Sequence, residues 1–206
     1  MRILRRMRIA VIILRWWRSG KPSPPPHEVK ELVVRAYATR FRRRILLETG
    51  TYLGDMVEAM RHRFDRIISI EVDTSLAVQA KLRFRGEDHI EIVCGDSGVA
   101  MPEMLAGMKG EGIFWLDGHY SGGITSKGSQ ETPVGSELRH IFAHGKKPVI
   151  LIDDARLFNG ENDYPSLADI QSLTSSFSPE YICEAKNDII RIYPRPNGHR
   201  LVWWHF

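Results

Sequence analysis

The chain has 206 residues, 43% of them hydrophobic, which is enough for one domain with a single sizeable core. Its formal net charge of +4 is unevenly divided: residues 1–44 contain 13 Lys/Arg and 2 Asp/Glu, whereas the remainder contains 16 and 23. A domain that grips nucleic acid normally carries its own basic face, so the mildly acidic body argues against that class. Two cysteines, Cys94 and Cys183, cannot form a disulfide framework, and a reducing cytoplasm is the expected location.

Residues 1–25 form a basic N-terminal arm that ends in the proline-rich linker KPSPPP, and we expect the folded domain to span residues 26–206. The longest uncharged run of the arm, residues 9–14, is too short to cross a bilayer. Two interpretations remain open. The arm is either a basic helix lying on anionic lipid, with Trp16 and Trp17 at the interface, or a segment that packs on the domain or on a second subunit of a homodimer.

From residue 27 onward, helix-like and strand-like stretches alternate along the chain. Short apolar runs rich in Val and Ile alternate with stretches of helical spacing. This alternation predicts an α/β fold with a doubly wound, mostly parallel seven-stranded sheet covered by helices on both faces. The last two strands lie too close together for a helical crossover, so we expect an antiparallel hairpin at one edge. In chain order, we predict a helix at 27–41, a strand at 44–48, a helix at 53–63, a strand at 66–72, a helix at 74–85, a strand at 90–95, a helix at 98–107, a strand at 112–118, a helix at 132–143, a strand at 148–154, a helix at 165–176, and strands at 181–185 and 188–194.

Acidic residues stand at the carboxyl ends of the predicted strands, where sheets of this kind bind their ligands. Four of the first five strands end in an acid, and an acid directly follows the other. Helix capping or turn formation accounts for one or two of them. Together, however, their charges would repel each other unless a ligand or cation used them. The residues are Glu48, Glu71, Asp96, Asp117, Asp153 and Asp154.

Two glycines, Gly50 and Gly54, flank the predicted turn between the first strand and its helix. Glycine lets the backbone approach a ligand without an intervening side chain. Glu71 closes the next strand, at the position from which a carboxylate accepts both hydroxyls of a ribose. The spacing lacks the G-x-G-x-x-G fingerprint, so a nucleoside without phosphates fits better than a dinucleotide.

These stretches resemble motifs of the class I S-adenosylmethionine-dependent methyltransferases. ETGTYLGD resembles their first motif, SIEVD their second and IVCGDS their third. The nearest likeness is to the metal-dependent catechol-type and macrocin-type O-methyltransferases, which carry E-x-G-x-Y-x-G in the first motif. Glu48, Gly50, Tyr52 and Gly54 match that pattern. The resemblance covers residues 45–194 and implies a Rossmann-like methyltransferase fold with S-adenosylmethionine as cofactor.

The resemblance also implies where the cofactor lies. Glu48 and Gly50 would lie near its methionine part, and Glu71 would bind its ribose. Asp96 and Ser97 would lie beside the adenine.

Three carboxylates are expected to meet at neighbouring strand ends. Asp117 ends one predicted strand, and Asp153 and Asp154 end the next. The metal-dependent O-methyltransferases that the chain resembles take their ligands from these two places, which implies Mg²⁺ here. The cation would acidify an acceptor hydroxyl and hold its oxygen in line with the methyl–sulfur bond. Alternatively, Asp153 or Asp154 caps the next turn, and Asp117 binds only the cofactor or a backbone amide.

The sequence departs from the catechol-type pattern just after Asp117. That family has a lysine base three residues on, where this chain has Tyr120, and His119 is the adjacent candidate for the base. Residues 121–132 are rich in Gly and Ser and are either a substrate lid or a surface loop. The departure disfavours catechols, and we expect an O-methyltransferase for a small polar acceptor such as a sugar or polyol.

Two other classes stay open. A nucleic-acid methyltransferase would hold phosphates with the basic arm, although the chain lacks an N-P-P-Y-type motif for amino groups. A non-catalytic, membrane-associated binding module would use the same arm on lipid.

Overall fold

A computed structural model describes residues 2–118 and 132–195, with side chains from residue 7 onward. One seven-stranded sheet, in the order β3-β2-β1-β4-β5-β7-β6, forms the centre of the molecule. Its strands are β1 (Ile45–Thr49), β2 (Arg66–Glu71), β3 (Ile90–Cys94), β4 (Gly112–Leu116), β5 (Val149–Ile152), β6 (Tyr181–Lys186) and β7 (Ile189–Pro194). The helices are α1 (Arg2–Arg18), α2 (His27–Arg40), α3 (Asp55–Met60), α4 (Thr74–Arg83), α5 (Ser97–Ala106), α6 (Val134–Ala143) and α7 (Leu167–Phe177).

The first five strands run parallel, and β7 pairs antiparallel with both β5 and β6. Asn187 and Asp188 join β6 to β7, both with positive φ (53° and 62°), the conformation of a two-residue hairpin turn. The predicted mostly parallel sheet and its edge hairpin are therefore confirmed.

The sheet has a hydrophobic core on each face, because successive side chains of a strand point to opposite sides. Leu46 and Trp115 pack with α2, α3 and α4 on one face. Leu47 and Phe114, their neighbours in sequence, pack with α5, α6 and α7 on the other. All four are almost completely buried, and burying a large apolar side chain contributes about 1.5–3 kcal/mol. This two-sided burial explains why the strands read as continuous apolar runs.

All the predicted helices and strands are present, with shifts at their ends. The largest shift is in α3, which begins after Gly54 because that residue has a left-handed conformation (φ 80°), and ends at Met60 rather than residue 63. β4 and β5 end at Leu116 and Ile152, so the acids predicted to close them follow the strands instead.

The basic arm is a helix, α1, that contacts α2. Trp16 is buried, and its indole Nε1 donates to the carbonyl of Pro22 at 2.8 Å. One side of the arm thus contacts α2, and the choice between the two interpretations stays a prediction. In the described ranges, no helix is long and apolar enough to cross a membrane.

Candidate active site

The site lies where the chain changes direction across the sheet, at the carboxyl ends of β1 and β4. From β1 the chain winds outward to β3, and then returns to β4 on the other side of β1. Ligands of open α/β sheets bind in the crevice at such a switch point. The Asp117 amide donates to the Thr49 carbonyl at 3.0 Å, which joins the two strand ends.

The two motif glycines are required by packing within the protein. Gly50 has φ +81°, and a Cβ there would lie 2.3 Å from the carbonyl oxygen of Asp117. Gly54 has φ +80°, and a Cβ there would lie 2.8 Å from Cε2 of Phe84. The space that a side chain would need is thus taken by β4 and by the ring after α4. Contact between these glycines and a cofactor stays a prediction, because packing within the protein already accounts for both residues.

Glu71 is the best-organised acid of the site. It is buried at the end of β2, where Oε2 accepts from the Tyr52 amide at 2.7 Å and Oε1 from the Asp73 amide at 2.9 Å. A carboxylate offers about four acceptor sites, so each oxygen can accept a further hydrogen bond. Tyr52 contributes its backbone, held at φ 48°, whereas its ring is largely exposed. The carboxylate is therefore fixed in place by two backbone amides, with acceptor capacity left on each oxygen.

Glu48 lies beneath the turn and is almost completely buried. Ser69 Oγ donates to its Oε2 at 2.5 Å, and Ser69 Oγ lies 2.6 Å from Thr51 Oγ1. Burial raises the pKa of Glu48 to about 8; the Ser69 hydrogen bond opposes that shift, and the charges of Asp117 and Glu71 add to it. At neutral pH the carboxyl is therefore mostly protonated.

Asp96 and Ser97 both have structural roles at the start of α5. The Asp96 carboxylate accepts from the Gly98 amide at 2.8 Å and caps the helix. Ser97 Oγ donates to Oε1 of the buried Glu137, on α6, at 2.6 Å. Contact with an adenine stays a prediction for both. Glu137 is a buried partner that sequence reasoning missed.

Two of the three carboxylates predicted to bind Mg²⁺, those of Asp153 and Asp154, are paired with cationic side chains. Lys30, from α2, donates through Nζ to Oδ2 of the fully buried Asp153, and this Nζ lies 3.9 Å from Oδ1 of Asp154. Arg156 Nη1 donates to the same Oδ1 at 2.8 Å and also binds Asp188. Asp153 Oδ1 accepts no hydrogen bond from any described residue.

The charge of Lys30 is stabilised by three acids. Burial alone lowers the pKa of an ammonium, but Asp153, Asp117 and Asp154 raise the pKa of Lys30 above its ordinary value, so it stays charged. Within residues 2–118 and 132–195, no three His, Cys, Asp or Glu side chains are arranged to hold a metal ion. Asp117, Asp153 and Asp154 as arranged therefore do not fit the Mg²⁺ site that the sequence predicts.

Asp188 fastens the loop after β5 to the edge hairpin. Its carboxylate accepts from the Arg156 amide at 2.9 Å, and its carbonyl accepts from the Ala155 amide at 2.8 Å. Asp154, with a left-handed backbone (φ 53°), therefore lies between the end of β5 and two residues that are fastened to the hairpin. The predicted base His119 and most of the predicted lid, residues 121–132, lie outside the described residues.

Sequence reasoning missed Lys30, although its signal was present. Val33, Val34 and Tyr37, three, four and seven residues on, are all buried in the face of α2 that covers the sheet. A lysine within an apolar helical stripe is expected to pair with an acid beneath it.

No protein-family model matches the chain, and no curated protein matches it in sequence. Solved structures do resemble its fold. A putative caffeoyl-CoA O-methyltransferase from Staphylococcus aureus has a TM-score of 0.58 at 11% identity, over 90% of this chain and 91% of that one. The O-methyltransferase TomG from Streptomyces achromogenes, in complex with S-adenosylmethionine, has a TM-score of 0.56 at 13% identity, over 90% and 88%. An O-methyltransferase from Bacillus cereus, in complex with the demethylated cofactor, has a TM-score of 0.53 at 13% identity, over 90% of each chain.

At these identities the likeness establishes the fold alone. The chain therefore has the Rossmann-like fold of the class I S-adenosylmethionine-dependent O-methyltransferases that its motifs resemble.

Proposed function

We propose that this protein is an S-adenosylmethionine-dependent methyltransferase that acts on a hydroxyl of a small polar acceptor. The observation that carries the proposal is the Glu71 carboxylate, held by two backbone amides at the end of β2 with acceptor capacity left for a ribose. Structures of the same fold have been solved with S-adenosylmethionine and with its demethylated product, which supports this choice of nucleoside.

The residues at the switch point suit such a cofactor. Glu71 would accept from the ribose hydroxyls, and the turn from Gly50 to Tyr52 would lie along the methionine part, above Glu48. Asp96 and Ser97 would border the adenine at the start of α5. When bound, the cofactor supplies an activated methyl group on a sulfonium sulfur. Asp117, half-exposed after β4, would face the reacting groups, and we propose His119 as the base that takes the acceptor proton.

A polar acceptor is supported by the surroundings of the site. An open cavity of about 570 Å³ lies where α6 begins, at the edge to which the parallel strands point. Its lining offers hydroxyl, guanidinium and carboxylate groups from Thr132, Ser136, Arg139 and Asp163. Such groups bind polyhydroxylated molecules through hydrogen bonds, which favours a sugar or polyol as the acceptor.

Mg²⁺ assistance is the competing form of this proposal. Magnesium would need oxygens of Asp117, Asp153 and Asp154, and Lys30 and Arg156 already bind the last two. Methyl transfer measured with added Mg²⁺ and with a chelator separates the two forms.

Calorimetry tests the cofactor assignment. The full chain should bind S-adenosylmethionine, and Glu71→Gln should weaken binding at least tenfold, about 1.4 kcal/mol, because it removes a charged acceptor. Glu91→Gln, which changes an exposed acid on β3, is the matched control and should bind as the parent does. Binding of NAD⁺ in place of S-adenosylmethionine would refute the proposal. Transfer of a labelled methyl group to a panel of sugars and polyols then identifies the acceptor.

A further inference from the structure

Lys30 lies at an unusual place for a charged residue. It belongs to the apolar face of α2, and its side chain, only 17% exposed, reaches across to the loop that follows β5. There it meets the fully buried carboxylate of Asp153, with Asp154 beside it. The pair joins residues 123 positions apart in the sequence.

We propose that Lys30 is the permanent cation of this site. Its ammonium takes the place that a divalent metal would take among Asp117, Asp153 and Asp154, and methyl transfer needs no added metal. That methyl transfer needs no added metal rests on the proposed function. That Lys30 takes the place of a metal is independent of it.

The geometry disfavours a metal in competition with this ammonium. Mg²⁺ needs a near-octahedral shell of oxygens at about 2.0–2.1 Å. Asp153 Oδ2 already accepts from Lys30, and Asp154 Oδ1 accepts from Arg156 at 2.8 Å. Entry of a metal would therefore displace a buried ammonium from its carboxylate, and an unpaired buried charge is strongly unfavourable.

The chemistry of methyl transfer is compatible with a single positive charge. The acceptor oxygen forms the new C–O bond, the methyl–sulfur bond breaks with its electron pair left on sulfur, and the hydroxyl proton leaves to the base. Lys30 acts as a positioning residue in this step: it holds Asp153 and Asp154 in place and offsets their charge beside the acceptor oxygen.

A titration with Mn²⁺, followed by electron paramagnetic resonance, tests the proposal on the full chain. The parent should bind no Mn²⁺ at millimolar concentration, whereas Lys30→Met should gain a site with at least tenfold higher affinity, because its carboxylates lose their cation. Adding Asp153→Asn to that variant should remove the site. Lys30→Arg keeps the charge and should behave as the parent. Lys81→Met, on the exposed side of α4, is the matched control and should gain nothing.

Three results would overturn the proposal. The first is a Mn²⁺ site in the parent that Asp153→Asn abolishes, and the second is methyl transfer that stops in chelator. The third is a folded Lys30→Met variant, checked by circular dichroism, that binds no Mn²⁺. If Lys30→Met does not fold, the Mn²⁺ titration of the parent is the deciding test of the proposal. Calorimetry of the same samples with S-adenosylmethionine reports separately on the proposed function.

A second observation, on α1, carries an independent proposal. Four large apolar side chains on one side of this helix are exposed: Met7 (61%), Val11 (46%), Leu14 (51%) and Trp17 (56%). At 3.6 residues per turn Met7, Val11 and Leu14 lie within one face, away from the buried Trp16. Trp17 lies at the edge of that face, where it lines a cavity against α2 together with Leu14 and Trp16.

The charge beside this stripe is entirely positive. Arg8, Arg15 and Arg18 are exposed along it, and no acid precedes Glu28 in the chain. We infer that this face docks on an anionic lipid surface, with the apolar side chains in the boundary region and the arginines on the headgroups.

Flotation of the full chain with liposomes tests this inference. We expect binding to vesicles that contain phosphatidylglycerol, at least tenfold weaker binding to pure phosphatidylcholine, and loss of binding in Leu14→Glu or Trp17→Glu. Leu82→Glu changes an equally exposed apolar residue on α4 and should bind as the parent. Equal binding by Trp17→Glu would overturn the inference. So would a dimer in solution that Trp17→Glu dissociates without any binding of the parent to vesicles, since a second copy would then cover this face.

Discussion

Glu48 and Ser69 are register partners on β1 and β2, and the Ser69 hydroxyl donates to the Glu48 carboxyl at 2.5 Å in the interior of the protein. Buried next to Asp117 and Glu71, Glu48 has a pKa of about 8, against an ordinary value of 4.5. The floor of the proposed cofactor site therefore holds a proton at neutral pH.

We predict that binding of S-adenosylmethionine releases a proton from Glu48. The sulfonium and the α-ammonium of the ligand are cationic, and a nearby cation lowers the pKa of a carboxyl. Affinity should thus rise with pH up to about 8. Calorimetry at pH 7, in buffers of different ionisation enthalpy, measures the released protons. The Glu48→Gln variant should release none, and a release equal to that of the parent would assign the proton to another group.

The same carboxyl should make stability depend on pH. As pH rises, the unfolded chain loses its proton near 4.5, whereas the folded chain keeps it until about 8. The contribution of Glu48 to the free energy of unfolding is therefore fully present below 4.5 and declines as pH rises towards 8. Relative to the parent, Glu48→Gln should gain on the order of 1 kcal/mol or more between pH 5 and pH 8. Thermal unfolding at both pH values checks this, and parallel curves for the two proteins would contradict it.

Gly50→Ala should be strongly destabilising. The new Cβ would lie 2.3 Å from the Asp117 carbonyl, in addition to the strain of φ +81°. Gly86→Ala separates the two effects, because Gly86 has φ +90° but no atom within 4 Å of the new Cβ. We expect about 1 kcal/mol for Gly86→Ala and at least about 3 kcal/mol for Gly50→Ala, measured by urea unfolding. Equal losses of unfolding free energy in the two variants would show that the close approach of Asp117 to the turn does not affect stability.

A chain that starts at Pro26 should fold and bind S-adenosylmethionine with unchanged affinity, since every proposed site residue follows it. It should unfold at a lower temperature than the full chain, because α1 helps to line an apolar cavity of about 420 Å³ with Val29, Leu32 and Val33 of α2. Calorimetry and thermal unfolding measure the two properties. Failure of the shortened chain to fold would make the arm part of the core.

The sheet could be predicted from the sequence because its determinants are local. Each strand is an apolar run, and the alternation of Leu46 and Leu47 between two cores needs only the geometry of a strand. The position of Glu71 could be predicted for the same reason, since the end of a strand fixes where its last side chain lies.

The pairing of the acids could not be predicted, because it depends on residues distant in sequence. Asp153 meets Lys30 from 123 positions away, and Ser97 meets Glu137 from 40. The place of Lys30 in an apolar helical stripe indicates that it pairs with an acid, but nothing near Asp153 or Glu137 in the sequence identifies which residue each of them meets. The role of Gly50 could not be predicted in full for a similar reason: the space beside it is occupied by Asp117, which follows β4.

The attachment of the acidic loop to Asp188 has a consequence for the order in which the protein matures. Ala155 and Arg156 are fastened by Asp188, the turn residue just before the last strand of the sheet. During synthesis, β1 to β5 and most of the proposed site leave the ribosome before that strand does. Until that strand is made, the loop that carries Asp154 lacks its attachment to the hairpin, although Lys30 is already present to bind Asp153. A product that stops before Asp188 would therefore hold most of the proposed site residues and lack this attachment of the acidic loop.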